Sequence, residues 1–243
     1  MTERERVLLE RGFVLHHRPY RNSSQIVECL TAEHGRVGLV AQGSRRAANG
    51  RRAHLQPFVP LRLSWTRRGD LGRLTDVEPD AADFALRGQA LLAGYYVNEL
   101  VMYLSARGDP NGEVFACYED CLLALARGSP LARTVRLFEL GLLRGLGYGL
   151  ELERDASTGD PLQPDCRYVF ELEHGPRRAD AASDGTAYLG RELMSLHSRS
   201  LDDRDSLRAA KRLLGRVLDA YLGQRRLKTR AVLEDIVGLG LDH

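Results

Sequence analysis

The apolar residues change their spacing once along this chain, near residue 80, and that change limits the folds open to it. Before it, short runs alternate apolar and polar residues at period two and are broken by Gly, Pro or Asp; after it, apolar residues recur at helical spacing. The strand-like runs are Gly12–His17, Gln25–Thr31, Arg36–Ala41, Phe58–Thr66 and Leu71–Val77. In Phe58–Thr66, Leu61, Leu63 and Trp65 alternate with Arg62 and Ser64, while Pro57 and Pro60 confine the start of the run to an edge or a bulge. The turn Glu33-His34-Gly35 joins the second and third runs as a hairpin. Five short strands in a small unit is the count expected of an OB-type barrel.

Beyond the change, helices are predicted over Leu86–Leu104, Glu113–Arg127, Leu131–Leu146 and Leu207–Leu222, with a short one over Leu189–His197. Residues 150–190 lose helical period, and Arg167–His174 alternates as a strand. Gly145, Gly147 and Gly149 follow a helix rather than a strand, so they are no dinucleotide fingerprint. The expected fold is α+β and multidomain. Residues 1–80 form an OB-fold, residues 81–150 and 186–235 a helical bundle, and residues 151–185 a small β-containing insert.

Charge separates the same two parts. Residues 1–76 carry fourteen Arg against seven acids, net +7; the whole chain is +2, which leaves −5 for the rest. A basic front end on a mildly acidic remainder points to an anionic partner. Within it, the run from Gln42 to His54 holds Arg45, Arg46, Arg51 and Arg52, two glycines and no acid. Arginine suits phosphate, since its planar fork gives paired hydrogen bonds and its charge does not titrate away. These four are the leading candidates for nucleic-acid contact, with Arg18, Arg21, Arg36, Arg67, Arg68 and Arg73 as lesser ones. Tyr20, Phe58 and Trp65 offer rings for bases, although inward packing is the expectation for most of them.

Catalytic patterns are missing: the sequence holds no P-loop, G-x-S-x-G elbow, H-E-x-x-H or Asp-rich metal loop. No catalytic residue is assigned. His16 and His17 are adjacent on a strand, which predicts one facing in and one out. Cys29, Cys117, Cys121 and Cys166 make no C-x-x-C pair, so free thiols in a core are expected and neither a metal nor another cofactor. No apolar run reaches the roughly 20 residues that span a bilayer, and the N-terminus lacks a signal-peptide layout. A cytoplasmic chain without a membrane partner is expected.

Several stretches together resemble one family. Phe13-Val-Leu-His-His-Arg-Pro-Tyr20, Ser24, Thr31-Ala-Glu-His-Gly-Arg-Val37, Val40-Ala-Gln-Gly-Ser-Arg45 and Leu55-Gln-Pro-Phe58 are similar to the opening of the bacterial RecO recombination mediators. So are Tyr95-Tyr-Val-Asn-Glu-Leu100, Arg136-Leu-Phe-Glu-Leu-Gly-Leu-Leu143 with Gly147-Tyr148, Leu207-Arg-Ala-Ala-Lys-Arg212 and Leu227-Lys-Thr-Arg230. The ordered set, from about Gly12 to Arg230, is specific where no single piece is.

The resemblance implies an N-terminal OB-fold, a central helical bundle and an insert that in many members holds zinc through four cysteines. Here Asp155–His174 retains only Cys166, which implies no zinc, as in the proteobacterial branch. It implies a non-enzymatic protein of the RecF pathway and the DNA-damage (SOS) response. Such a protein binds single- and double-stranded DNA, anneals complementary strands, and with RecR loads RecA onto strands covered by single-strand-binding protein (SSB). On this basis the chain is expected to be a monomer on its own and associated with the nucleoid. The acidic tail of SSB is expected on Arg133, Arg136, Leu137 and Leu140, where cations lie next to apolar residues; the competing expectation is that these arginines only pair with Glu139 or Glu99. A rival reading is an OB-fold RNA-binding module or a protein-recruiting adaptor without annealing activity.

Overall fold

Period-two alternation becomes five strands because each places one row of apolar side chains on a common inner face. The computed structural model describes residues 5–44, 55–80, 84–180, 187–230 and 232. Strands β1 (Glu5–Tyr20), β2 (Ser24–Thr31), β3 (Gly35–Ala41), β4 (Pro60–Arg67) and β5 (Leu71–Pro79) close into a ring in the order β1-β2-β3-β5-β4. Closure depends on two pairings. The long β1 bonds to both β2 and β4, and a three-residue parallel ladder joins β3 to β5. Val27, Cys29, Leu39, Leu61, Leu63, Trp65 and Leu74 fill the inside, all at most 5% exposed.

Strand β1 is longer than the alternation predicts. Its first half, Glu5–Arg11, carries a bulge between Val7 and Glu10, where Leu9 takes φ +50° and donates its N–H to Ser64 Oγ at 3.0 Å. Leu8 and Leu9 are left exposed, so the local sequence does not alternate. A second bulge, between Val14 and His16, inserts Leu15, which stays buried. His16 then pairs with Glu28 and His17 with Val27, so the two take opposite sides of the strand as expected, and both are exposed. In the β2–β3 turn, Gly35 combines φ +61° with an approach so close that a Cβ would lie 1.9 Å from the Asp109 carbonyl oxygen.

Helices α1 (Gly88–Leu104) and α2 (Gly112–Ala126) belong to the same compact unit as the ring. The outer side of β1 is apolar at Phe13, and its ring meets Phe84, Phe115 and Tyr118 at centroid distances of 5.7, 5.9 and 5.3 Å. Each such aromatic pair contributes about 0.5–1.5 kcal/mol beyond the area it buries. Asn98 on α1 fixes the attachment. Its Nδ2 donates to the Leu15 carbonyl at 2.9 Å, and its Oδ1 accepts from Tyr118 Oη at 2.7 Å, all buried. Glu99 accepts the N–H groups of Lys228 and Thr229 at 2.9 and 3.0 Å and the Thr229 hydroxyl at 2.7 Å, which ties the segment after Leu227 to α1.

The contacts divide the chain into Met1–Leu131 with Leu227–His243, and Ala132–Arg226. The second unit contains nearly all of α3 (Leu131–Gly145), then β6 (Arg167–Glu171), β7 (Gly175–Arg178), β8 (Tyr188–Leu189), α4 (Gly190–His197) and α5 (Arg204–Leu222). The three short strands form a sheet of order β7-β6-β8. Where alternation predicts one strand over Arg167–His174, the chain turns at Glu173 (φ +69°) into the β6–β7 hairpin. Helix α5 is capped by Asp203, whose carboxylate accepts from Ser206 N at 2.8 Å and Ser206 Oγ at 2.6 Å. The fold is thus α+β, an OB-like ring followed by helices and a small extra sheet.

Candidate nucleic-acid interface

With the inside of the ring filled and the Phe13 side covered by helices, the rim at the β1–β2 and β4–β5 turns stays open. In OB-folds these two loops and the face of strands 2 and 3 take oligonucleotides. Strand register builds the rim here. Arg18 pairs with Ile26, Ile26 with Val40, Val40 with Arg73, and Arg73 with Thr66, a row that crosses all five strands. Directly paired residues project to the same side. Their neighbours Val27, Leu39, Leu74 and Trp65 line the inside, so this row faces out.

A cleft of about 470 Å³ lies on this rim, lined among others by Tyr20, Arg21, Val40, Arg67, Arg68 and Arg73. Arg21 sits in the β1–β2 turn at φ +53°, its guanidinium 5.1 Å from the centre of the Tyr20 ring. Arg18, Arg68 and Arg73 are exposed and make no ion pair among the described residues. Arg67 lines the cleft while its Nε donates to Glu5 Oε2 at 2.8 Å. Leu71, 38% exposed, adds an apolar contact that sequence reasoning passed over, because it opens a strand whose other apolar residues point inward.

Arg36 is placed differently from the rest. Its Nη1 donates to Glu28 Oε2 at 3.0 Å and its Nε to the Ser105 carbonyl at 3.2 Å, with the side chain only 14% exposed. Arg107 reaches the same carboxylate, its Nε at 3.0 Å from Glu28 Oε2. Glu28 is 5% exposed, so two arginines neutralise one buried carboxylate and Arg36 is held by structure. Arg45, Arg46, Arg51 and Arg52 lie outside the described residues. Among the candidate rings, Trp65 and Phe58 are core residues at 0% and 5% exposure, which leaves Tyr20 beside the cleft.

Cys29 is fully buried between β1 and β3, and burial, then the charge of Glu28, push its thiol well above the ordinary range. It is a neutral core side chain. Among the described residues no group of three or more His, Cys, Asp or Glu gathers as a metal site, and no helix is long and apolar enough to cross a membrane.

In the second unit, the α3 candidates are already engaged. Arg133 donates to the carbonyls of Ser200 at 2.8 Å and Arg199 at 2.9 Å. Arg136 pairs with the buried Glu139 at 3.0 Å. Leu137 and Leu140 are half-buried. A separate cleft of about 660 Å³, lined by Leu152, Pro161, Leu162, Pro164 and Met194 among others, includes none of these four. The insert is held by Asp155. Burial raises its pKa, but hydrogen bonds from Ser157 Oγ and from the N–H groups of Ser157 and Arg178 outweigh this and hold it below the ordinary value. The Tyr168 hydroxyl accepts the Gln163 N–H at 2.9 Å in the same region.

A five-stranded OB-like ring whose open rim gathers arginines beside a tyrosine is the architecture of a nucleic-acid-binding protein. Comparison with known proteins narrows the class. The family described as Recombination protein O N terminal matches residues 6–81, and Recombination protein O C terminal matches residues 86–231. The DNA repair protein RecO of Nitrosococcus oceani is 43% identical over 236 residues, covering 97% of this chain and 96% of that protein. That of Methylococcus capsulatus is 40% identical over 225 residues, covering 93% and 92%. That of Coxiella burnetii is 39% identical over 229 residues, covering 94% and 99%. The chain belongs to the RecO family of DNA repair and recombination proteins.

Proposed function

We propose that this chain is a non-enzymatic recombination mediator: it anneals complementary single strands and, with RecR, helps load RecA onto SSB-coated DNA. The rim cleft carries this reading. Annealing is opposed by repulsion between two polyanions, and fixed cations that displace counterions lower that barrier. Arg18, Arg21, Arg68 and Arg73 meet phosphates, Arg67 joins them when it leaves Glu5, and Tyr20 offers a ring for one base. Arg45, Arg46, Arg51 and Arg52 follow β3 in sequence and remain candidates for phosphate contact. Protein partners rest on family membership: RecR, and the acidic tail of SSB, whose carboxylates would meet the N–H donors of Arg133 that the Arg199 and Ser200 carbonyls do not use. The protein acts in the cytoplasm, on the nucleoid.

Annealing of two labelled complementary strands coated with SSB tests this. Wild type is expected to anneal them rapidly and Arg68→Ala/Arg73→Ala to do so slowly while melting at the wild-type temperature. Absence of annealing by wild type would transfer the reading to an RNA-binding or recruiting module, and equal annealing by both proteins would move the DNA site away from the rim.

A further inference from the structure

Unit Ala132–Arg226 carries an aromatic feature that its core does not require. Tyr148, just past the end of α3, and Tyr221, on the last turn of α5, stack with ring centroids 4.0 Å apart and planes 22° apart. Tyr148 is nevertheless 40% exposed. One of its faces lies on Tyr221, so the exposed area is the other face and the ring edge. The neighbouring Gly147 and Gly223 border open space, since a Cβ added at either would meet no atom within 4 Å.

Cations follow directly. Helix α5 ends at Leu222, and the chain continues through exposed Arg225 and Arg226, the Arg225 N–H donating to the Leu222 carbonyl at 3.1 Å. Both arginines therefore leave the helix within about a turn of Tyr221. Burial, then the charges of Glu173 and Tyr148, push the Tyr221 phenol above its ordinary pKa, so that phenol stays neutral at physiological pH. Glu173, on the β6–β7 turn, lies close enough for its charge to act on Tyr221.

An aromatic ring with one open face, with arginines close by in sequence, suits an unpaired nucleobase and its phosphates. Base–aromatic stacking accepts any base and is closed to a paired, stacked duplex. We propose that Tyr148, backed by Tyr221 and flanked by Arg225 and Arg226, is a second single-strand site that takes one unpaired base on the open face of Tyr148. The inference rests on the reading that the chain binds single-stranded DNA, and it supplies annealing with a place for a strand other than the one at the rim.

The test uses the full chain and a short oligothymidylate carrying one 5-iododeoxyuridine. Irradiation followed by peptide mapping is expected to place an adduct on Tyr148. Tyr148→Ala is expected to weaken oligothymidylate binding at least about fivefold while duplex affinity changes less than about twofold, and Tyr148→Phe, which keeps the ring, to bind as wild type. Arg225→Ala/Arg226→Ala is expected to flatten the single-strand salt dependence with the tyrosine stack intact. A Tyr148→Ala protein that melts like wild type and binds oligothymidylate equally, with no adduct on Tyr148, overturns the site. If Arg68→Ala/Arg73→Ala weakens binding in that same experiment, the rim reading survives and only this inference fails. If wild type binds no oligothymidylate at all, the DNA reading fails first.

Discussion

Arg68 and Arg73 can be separated from Arg36 by a salt titration, although sequence places all three in one basic front end. Each single-strand phosphate neutralised contributes about 0.7 to the slope of log affinity against log salt. If Arg68 and Arg73 each meet one phosphate, replacing both by Ala flattens that slope by about 1.4. Between 50 and 200 mM salt, a fourfold change, the double variant then loses roughly sevenfold less affinity than wild type. Arg36 belongs to a different ledger. Its guanidinium is spent on Glu28 Oε2 at 3.0 Å and the Ser105 carbonyl at 3.2 Å, and Glu28 is buried. Arg36→Ala is expected to leave the slope within error and to cost about 2 kcal/mol of stability, since Arg107 still holds the carboxylate. In a chain of this size that lowers the melting temperature by roughly 4–8 °C. Fluorescence anisotropy of a labelled oligothymidylate at four salt concentrations, with a thermal melt of each variant, measures both quantities. A slope flattened equally by Arg36→Ala, or unchanged by Arg68→Ala/Arg73→Ala, would refute the division of these arginines by their partners.

Other consequences follow from single contacts. Glu5→Gln removes the carboxylate that holds Arg67 at 2.8 Å, so single-strand affinity is expected to rise and the salt slope to steepen by about 0.7, read in the same titration. Asn98→Leu strands the Leu15 carbonyl and the Tyr118 hydroxyl inside the protein, for a loss of about 2–4 kcal/mol in urea unfolding. Gly190→Ala would put a Cβ 2.0 Å from the Gln163 carbonyl oxygen, and the resulting shift is expected to cost about 1–3 kcal/mol by the same assay. Asp203 titrates below its ordinary value because Ser206, through its hydroxyl and then its N–H, favours the carboxylate. Its contribution is therefore full above the unfolded-state value and lost as pH falls through the lower folded-state value. Asp203→Ala is expected to cost about 1 kcal/mol at pH 7 and less near pH 3, checked by urea unfolding at both.

Much of the OB-like ring was legible because its strands place a row of apolar side chains on the inner face, and period-two alternation records that row directly. The lapse falls where a bulge breaks the alternation, in Glu5–Arg11 around Leu9. The β6–β7 hairpin was read as one strand because Glu173 takes a left-handed conformation that its residue type does not announce. Of the site, the residue type and the turns were visible, since Arg21 and Arg68 flank obvious turn residues. Which arginines act together was not visible.

By itself the sequence determined the order of the ring strands and of the helices, the basic front end, and membership of the family through an ordered set of short segments. Those properties are local, or are sums along the chain. Only the tertiary structure decided that Arg18 and Arg73 share one outer row, that Arg36 is spent on Glu28, and that Tyr148 stacks on Tyr221. Each of those depends on strand register or helix packing between residues far apart in sequence, and an arginine in front of a carboxylate reads the same, one residue at a time, as an arginine in front of solvent.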